Sequence, residues 1–502
     1  MRPLEILLVC ANLITFLLLA VPRLRVAQWK GYIVLSTLAL AVVQIVLEGP
    51  RWQMAPAYGL TGLFALAWAL QRFVPANRIA KSRLKRRLIA SLASTVCVIG
   101  MALSIALPLL LPVFSFPRPS GPYAIGTVTY HWTDHSRHEI FSPDKNGPRE
   151  LMVQIWYPSS KGQLTLPAPY LPDAAEVTPA LEQLHHFPKS LLQHLKYVKT
   201  HAAESVPVAN DRPGYPVLIA LEGITGYRQM LTFQIEELVS HGYIVVGLDQ
   251  PGVAASVTFP DGHSIAITEL FTQIETLIRQ SVSPAQKAPQ FNGQTFTDGI
   301  IPYFAQDVSF TLDRLASLNT RDPQHLLTGK LDLGHVGLFG MSLGGMIGAQ
   351  ACLQDARLGA CLIIDVEMTD DVLKKGLHQP CMLMTRPADT MRLERQKAGG
   401  WTEQDIARTQ LTMRAVYNHL PGDGYFVQIP GAFHIDFTDL DLFSPLAPLI
   451  GLGGPLGSQR AHEIVNAYSL AFFDKHLKGQ PEALLTGPAA RYPEVIFARH
   501  GP

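Results

Sequence analysis

The sequence has few charged residues and almost no net charge. Asp, Glu, Lys and Arg make up 16% of 502 residues, and 41 basic against 40 acidic side chains leave a formal net charge of +1. The whole chain therefore offers no electrostatic attraction for nucleic acid. Typical soluble domains contain about 25% charged residues. Because 48% of the residues are hydrophobic, we expect part of the chain to lie in lipid.

Cysteine is also scarce. The five cysteines are an odd number, and no pair has the spacing of a metal site or a redox motif. Cys10 and Cys97 fall in apolar segments, whereas Cys352, Cys361 and Cys381 fall in predicted helix or strand. All five are interpreted as structural. A disulfide among the last three is compatible with an exported domain, but the sequence does not choose the pairing.

Long apolar runs, by contrast, are concentrated in the first 115 residues. Each is close to the length that crosses a hydrocarbon core of about 30 Å. A cleaved signal peptide would account for the first run only. The sequence therefore predicts a four-helix transmembrane region over residues 1–115 that contacts membrane lipid. The four runs are 4–21, 31–47, 57–74 and 88–113.

Lysine and arginine predict the orientation of these spans, because positively charged loops stay in the cytoplasm. The first and third loops are basic, so both ends of the region and everything after residue 113 should lie on the periplasmic or extracellular side of the inner or plasma membrane. The stretch 81–87 lacks interleaved aromatics and adjoins a span, which favours a topology signal over a nucleic-acid patch. The basic residues are Arg23, Arg25, Lys30, Arg72, Arg78, Lys81, Arg83, Lys85, Arg86 and Arg87.

A proline- and glycine-rich linker over 116–122 precedes a predicted catalytic domain over 123–502. Segments 123–130 and 150–157 alternate polar and apolar residues and predict antiparallel strands with one solvent-exposed face. Segment 189–199 is helix-like. Later apolar runs alternate with helical stretches, which predicts an α/β fold with a mostly parallel, doubly wound sheet. These runs are 217–221, 243–248, 336–339, 360–364 and 381–384.

A serine lies in a sharp glycine-rich turn after one of these strands. Segment 340–345 reads Gly-Met-Ser-Leu-Gly-Gly between a predicted strand and a predicted helix. Small neighbours let strand and helix approach closely and leave the serine hydroxyl exposed at the sheet edge. This context predicts Ser342 as a nucleophile of the α/β-hydrolase type. The alternative is a glycine turn without chemical consequence.

A serine nucleophile needs a histidine base that is oriented by a carboxylate, and in this fold their chain order is Ser, acid, His. His434 follows the predicted last strand 425–429 and is the expected base. Asp365 and Asp389 both follow predicted strands between Ser342 and His434, and spacing alone leaves both open as the acid.

Negative charge on the substrate oxygen requires backbone donors that are already in place. Leu343, directly after the nucleophile, can supply one amide. The second is expected from the sharp turn over 221–226, where the amide of Ile224 is the candidate. The alternative for this segment is a simple glycine turn.

Segments across residues 120–480 resemble the plasma-type platelet-activating factor acetylhydrolase family and its bacterial relatives. Two departures are Glu222 and Met341, each at a position where the family usually has histidine. They change the polarity beside the oxyanion hole without removing a catalytic group. The resembling segments are 151–158, 217–228, 240–245, 340–345, 431–440 and 468–477.

The resemblance implies that Asp365 is the acid, with Asp389 in reserve, and that Ile224 and Leu343 are the oxyanion donors. It also implies hydrolysis of short or oxidised acyl chains at the second position of glycerophospholipids, with no metal ion and no other cofactor. The predicted function is therefore a membrane-anchored serine esterase that acts on phospholipid-derived or short-chain acyl esters.

Two kinds of alternative stay open. A general carboxylesterase or lipase, or an acyltransferase, would use the same triad. A membrane sensor or transporter would use the hydrolase-like domain as a binding module, but the apolar runs contain almost no ionisable residues.

Overall fold

The computed structural model describes residues 1–20, 29–73, 83–142, 147–160, 166–449 and 451–501. Arg23, Arg25, Arg78 and Lys81, on which the predicted orientation partly rests, lie outside these ranges, as do the last residues of the first and third apolar runs. The chain divides into two compact units. The first contains Met1–Phe114 and Phe443–Leu446, and the second contains Ser115–Leu442 and Ala447–Pro502.

The first unit is helical over its described residues, and its helices coincide with the four predicted apolar runs. Two segments, Gly31–Glu48 and Arg87–Leu110, are long and apolar enough to cross a membrane, and Pro3–Leu19 is apolar but shorter. By length and composition, the described residues thus give two candidate spans where the sequence predicted four. The helices are α1 Pro3–Ala20, α2 Lys30–Glu48, α3 Ala55–Phe73 and α4 Arg83–Leu110.

Polar side chains connect the helices of this unit. Asn12 on α1 donates from Nδ2 to the carbonyl of Ala57 on α3 at 3.0 Å, and its Oδ1 accepts from Thr61 Oγ1 at 3.0 Å. Glu5 and Arg51 form a fully buried ion pair at 2.7 Å. Within a membrane, apolar side chains pack against lipid about as well as against another helix, so polar contacts of this kind add to the association of helices.

The second unit is built on an 11-stranded sheet in its described part, with strand order β15-β14-β13-β12-β11-β5-β6-β2-β1-β4-β3. The strands of this sheet are β1 Ala124–His138, β2 Pro148–Ser159, β3 Pro167–Pro169, β4 Lys199–Glu204, β5 Tyr215–Leu221, β6 Ile244–Asp249, β11 Leu331–Met341, β12 Leu358–Ile364, β13 Cys381–Thr385, β14 Gly424–Gln428 and β15 Ile496–His500. Two separate short hairpins are formed by β7 Ser256–Thr258 with β8 Ser264–Ala266, and by β9 Gln290–Phe291 with β10 Gln294–Thr295.

Helices alternate with the central strands. Strands β6, β5, β11, β12, β13 and β14 pair in parallel, whereas β2 and β15 join the sheet antiparallel. The predicted α/β fold with a mostly parallel sheet is therefore confirmed. The helices are α5 Ala174–Leu184, α6 Thr232–Ser240, α7 Phe271–Val282, α8 Ile301–Thr320, α9 Leu343–Gln354, α10 Asp370–Lys375, α11 Ala388–Ala398, α12 Glu403–His419 and α13 Ser458–Lys478.

Two local predictions are wrong. Segment 150–157, predicted as a strand with one solvent-exposed face, lies in β2, which is almost entirely buried. It pairs with β1 and β6, and helix α6 packs against it. The helix-like segment 189–199 forms only a short 3-10 helix, Gln193–Tyr197, before the chain enters β4. Strand β4 begins at Lys199, the last residue of the helix-like segment, and pairs in parallel with β1.

The cysteines of the second unit form one disulfide, between Cys352 on α9 and Cys361 on β12, whose Cα atoms are 6.8 Å apart. Cys381 is buried and free. In the first unit Cys97 is buried and Cys10 is exposed, and both are free. The disulfide links the helix that follows the candidate nucleophile to the neighbouring strand.

A buried ion cluster fixes β2 to α8. Arg149 donates from Nη2 to Asp307 at 2.6 Å and from Nη1 to Glu139 at 2.8 Å, and all three side chains are nearly inaccessible to solvent. Arg137 binds the other oxygen of Asp307 at 2.6 Å. Burial raises the pKa of Asp307, but the two arginine charges outweigh it and hold this pKa below its usual value.

We expect Arg149→Met to lower the free energy of unfolding by about 3–5 kcal/mol, because it removes the counter-charge of buried Glu139 and one of the two arginines that bind Asp307. Urea unfolding of the full chain in detergent, followed by tryptophan fluorescence, measures this loss. The control is Arg392→Met, which removes an exposed arginine paired with Asp389 and Glu403 and should leave the transition unchanged. Equal effects of both substitutions would contradict the prediction.

Candidate active site

Ser342 lies in a strained turn between β11 and α9. Its backbone has φ 56° and ψ −127°, a conformation that is costly for a residue with a side chain. Glycine is required on both sides: a Cβ on Gly340 would lie 2.3 Å from the Gly344 carbonyl oxygen, and one on Gly344 would lie 2.3 Å from that of Leu221. Strand, helix and the neighbouring β5 loop therefore pack backbone to backbone, and Ser342 is held at the carboxyl end of the sheet.

His434 lies next to this serine. Its Nε2 is 3.1 Å from Ser342 Oγ, and its Nδ1 is 2.6 Å from Asp365 Oδ2. His434 begins a 3-10 helix, His434–Phe437, after β14. Asp436 in that turn accepts hydrogen bonds from the amides of Phe433 at 2.7 Å and Gly454 at 2.8 Å. The loop that carries the imidazole is thus fixed at both ends.

Asp365 follows β12 directly and is fully buried. Besides His434, it accepts hydrogen bonds from Thr385 Oγ1 at 2.6 Å and Arg386 Nε at 2.8 Å. Burial raises the pKa of Asp365, but the charge of Arg386 and the hydrogen bonds from His434 and Thr385 outweigh it and hold the pKa well below its usual range. Asp365 is therefore a carboxylate that faces the imidazole.

The reserve acid lies elsewhere. Asp389 is in the first turn of α11, its side chain is 93% exposed, and it pairs with Arg392 at 2.8 Å. The structure brings Ser342, His434 and Asp365 together and leaves Asp389 at the surface.

The two candidate oxyanion donors border the serine. The amide of Thr225 donates to the carbonyl of Val253 at 2.8 Å, which fixes the turn that contains Ile224. A Cβ on Gly223 would lie 3.2 Å from Ser342 Cβ, so this turn passes directly beside the nucleophile. Leu343 is the first residue of α9, where a backbone amide has no partner within the helix.

The electrostatics favour a neutral imidazole. Burial lowers the pKa of His434, the hydrogen bond to Asp365 and its charge raise it, and the charge of Arg386 lowers it further, with a net decrease. With Nδ1–H donating to Asp365, Nε2 carries the lone pair that can accept the proton of Ser342. The imidazole is 18% exposed.

Sequence reasoning missed four residues beside the triad. Thr385 ends β13 and Arg386 follows it, Glu394 lies on α11, and Trp401 lies between α11 and α12. The ring centroids of Trp401 and His434 are 5.0 Å apart, edge to face. Their position in the sequence could have indicated Thr385 and Arg386, because both lie at the carboxyl end of a buried parallel strand, at the same edge of the sheet as Asp365.

The two departures from the family pattern are both buried, with Met341 1% and Glu222 3% exposed. Burial and the nearby charge of Asp249 raise the pKa of Glu222 well above its usual value. Both effects favour the protonated form of this side chain, which lies in the turn over 221–226. Within the described ranges, no three His, Cys, Asp or Glu side chains are grouped so as to hold a metal ion.

Comparison with known proteins points to ester hydrolysis. Residues 112–275 match the sequence model of the family described as platelet-activating factor acetylhydrolase, isoform II. A probable 1-alkyl-2-acetylglycerophosphocholine esterase of Arthroderma benhamiae is 25% identical over 405 residues, which cover 76% of this chain and 94% of the relative. The platelet-activating factor acetylhydrolase of Cavia porcellus is 21% identical, covering 72% of this chain and 78% of the relative.

A solved structure is also similar. The ferulic acid esterase of Streptomyces cinnamoneus matches with a TM-score of 0.57 and 26% identity, over 77% of this chain and 99% of that structure. The two relatives and the solved structure each match between 72% and 77% of this chain.

Proposed function

Because the chain belongs to the platelet-activating factor acetylhydrolase family and is a serine esterase, we propose that Ser342, His434 and Asp365 form its catalytic triad. The observation that carries this proposal is the pair of hydrogen bonds at His434, where Nε2 accepts from Ser342 Oγ at 3.1 Å and Nδ1 donates to Asp365 Oδ2 at 2.6 Å.

In this mechanism Ser342 Oγ attacks the ester carbonyl carbon while His434 Nε2 takes the hydroxyl proton. Asp365 keeps the imidazole in the required tautomer and stabilises the imidazolium. The amides of Ile224 and Leu343 donate to the oxyanion. His434 then gives its proton to the leaving alcohol, which leaves an acyl group on Ser342. A water molecule, deprotonated by His434, hydrolyses this acyl-enzyme and restores the serine.

The proposed substrates are phospholipid-derived or short-chain acyl esters. The names of the two relatives support an acetyl ester at the second position of an alkyl glycerophosphocholine. We further propose that the first unit is a multi-pass membrane anchor in contact with lipid through four helices. Two of its described helices are long and apolar enough to cross a membrane, and all four coincide with apolar runs of the sequence.

The catalytic unit is proposed to lie on the periplasmic or extracellular side. The basic loops of the first 115 residues support this orientation. The disulfide between Cys352 and Cys361 supports it independently, because disulfides persist in oxidising compartments and are rare in the cytosol.

The test compares ester substrates on the full chain in detergent micelles. The substrates are p-nitrophenyl acetate, butyrate and decanoate, and glycerophosphocholines with an acetyl or a palmitoyl group at the second position, with Ser342→Ala as the blank. We expect serine-dependent release of acetate from the acetylated phospholipid and little release of palmitate.

Cleavage of p-nitrophenyl esters alone would contradict the phospholipid substrate and leave a general carboxylesterase. Product analysis with added alcohol distinguishes hydrolysis from acyl transfer. Spheroplasts that express the protein should cleave a membrane-impermeant ester added outside, and cleavage only after lysis would contradict the proposed orientation.

A further inference from the structure

A buried arginine contacts the candidate triad acid. Arg386 is fully buried, and its Nε donates to Asp365 Oδ2 at 2.8 Å. That oxygen also accepts the hydrogen bond of His434 Nδ1. The other oxygen of Asp365 accepts from Thr385 Oγ1 at 2.6 Å. The carboxylate is therefore held by a cation and a hydroxyl in addition to the imidazole, and it cannot rotate without breaking one of these contacts.

The same guanidinium reaches the loop of His434 by a second route. It forms an ion pair with Glu394 on α11. Both carboxylate oxygens of Glu394 lie 3.4 Å from the backbone nitrogen of His434. The guanidinium carbon lies 4.8 Å from the ring centroid of Trp401, a cation–π distance, and this ring packs edge to face on the imidazole.

The position of Arg386 is itself fixed. It follows β13, the strand next to β12, and its carbonyl accepts a hydrogen bond from Gln410 Nε2 on α12 at 2.9 Å. Burying a guanidinium is costly unless charges and hydrogen bonds compensate it. Here its partners are Asp365 and Glu394, and each of them also contacts His434.

We propose that Arg386 is a positioning residue of the triad: its guanidinium orients Asp365 and, through Glu394 and Trp401, fixes the imidazole of His434. This inference rests on the proposed function, because it assigns Asp365 and His434 the roles of acid and base. Arg386 does not contact the reacting atoms and acts only through these neighbours.

The proposal has an electrostatic consequence with a definite sign. The charge of Arg386 opposes protonation of His434 and so lowers its pKa. Without that charge the pKa of His434 rises, and the base becomes neutral only at higher pH. Activity that needs neutral imidazole should then begin at higher pH. The other charged groups around this imidazole and its loop are Asp365 after β12, Glu394 and Lys397 on α11, and Asp436 in its own 3-10 turn.

The experiment measures kcat and KM from pH 5 to 9 for the full chain in detergent, with p-nitrophenyl acetate as the probe. For Arg386→Gln we expect kcat about 10²-fold lower, as for misplacement of a catalytic group. The acid limb of kcat/KM should move to higher pH by about 0.5 unit or more. Arg386→Lys keeps the charge but loses the planar fork, so it should lower kcat while its acid limb stays near that of the wild type.

The matched control is Arg392→Gln, an exposed arginine on α11 that pairs with Asp389 and Glu403. It should leave kcat, KM and the pH profile unchanged. An Arg386→Gln variant with the wild-type thermal transition and an unmoved acid limb would overturn the proposal. If Arg386→Gln does not fold, Arg386→Lys decides: a lower kcat at unchanged KM supports the proposal, and a wild-type kcat overturns it.

Failure of this inference is distinguishable from failure of the proposed function. If Ser342→Ala is inactive and the Arg386 variants behave as wild type, the triad stands and only the role of Arg386 is lost. If Ser342→Ala keeps its activity, the triad itself is wrong.

Discussion

Ser342→Ala is expected to lower kcat/KM for ester hydrolysis by about 10⁴–10⁶-fold, because it removes the only atom that the proposed mechanism joins to the acyl group. The rest of the site, including the amides of Ile224 and Leu343, stays in place. The measurement is p-nitrophenyl acetate hydrolysis by the full chain. Covalent labelling by a fluorophosphonate, which reports an activated serine, should be lost in the same variant.

Two checks make this result interpretable. Alanine adopts the backbone conformation at position 342 at much the same cost as serine, so the thermal transition should be retained. Ser317→Ala, on α8 and hydrogen-bonded only to its own helix at the Asp313 carbonyl among the described contacts, should keep full activity and labelling. A Ser342→Ala variant that is still labelled and active would place the nucleophile elsewhere.

The central sheet could be predicted because its strands carry their own signal. Strands buried on both faces read as continuous apolar runs, as in β5, β6 and β12. The same signal failed for β2, whose alternating sequence is also buried, because β6, which pairs with it, and α6, which packs against it, are distant in the chain. Local pattern does not contain that information.

The candidate site could be predicted only in part for a related reason. Ser342 and His434 follow from the turn and the chain order. Asp365 and Asp389 could not be separated by spacing, because both follow strands. The separation depends on sheet order: β12 is paired with β11, so a residue at its end lies beside Ser342, whereas Asp389 is already in the first turn of α11.

Arg386 was missed for a different reason. The motif of a serine hydrolase consists of a nucleophile, a base and an acid, and an arginine has none of these roles. Its function depends on burial against Asp365 and Glu394, which are 21 and 8 residues away in the chain. The signal in the sequence is its position, because Arg386 is a polar residue at the carboxyl end of a parallel strand.

Asp365→Asn is expected to lower kcat/KM by about 10⁴-fold, whereas Asp389→Asn should leave it within about twofold of the wild type. An asparagine at 365 can present its amide to His434 Nδ1 and so favour the tautomer whose Nε2 carries a hydrogen, which cannot accept the proton of Ser342. Asp389 is exposed and bound to Arg392, so the same change there alters only the surface.

The two variants differ from the wild type by the same atoms, which makes Asp389→Asn the matched control. Asp365→Asn also removes a charge that compensates Arg386, so part of its effect is expected as a lower thermal transition. Activity is therefore compared below the transition of each variant. Loss of activity in Asp389→Asn with an active Asp365→Asn would reverse the assignment, because it would show that the exposed carboxylate orients His434 during the reaction.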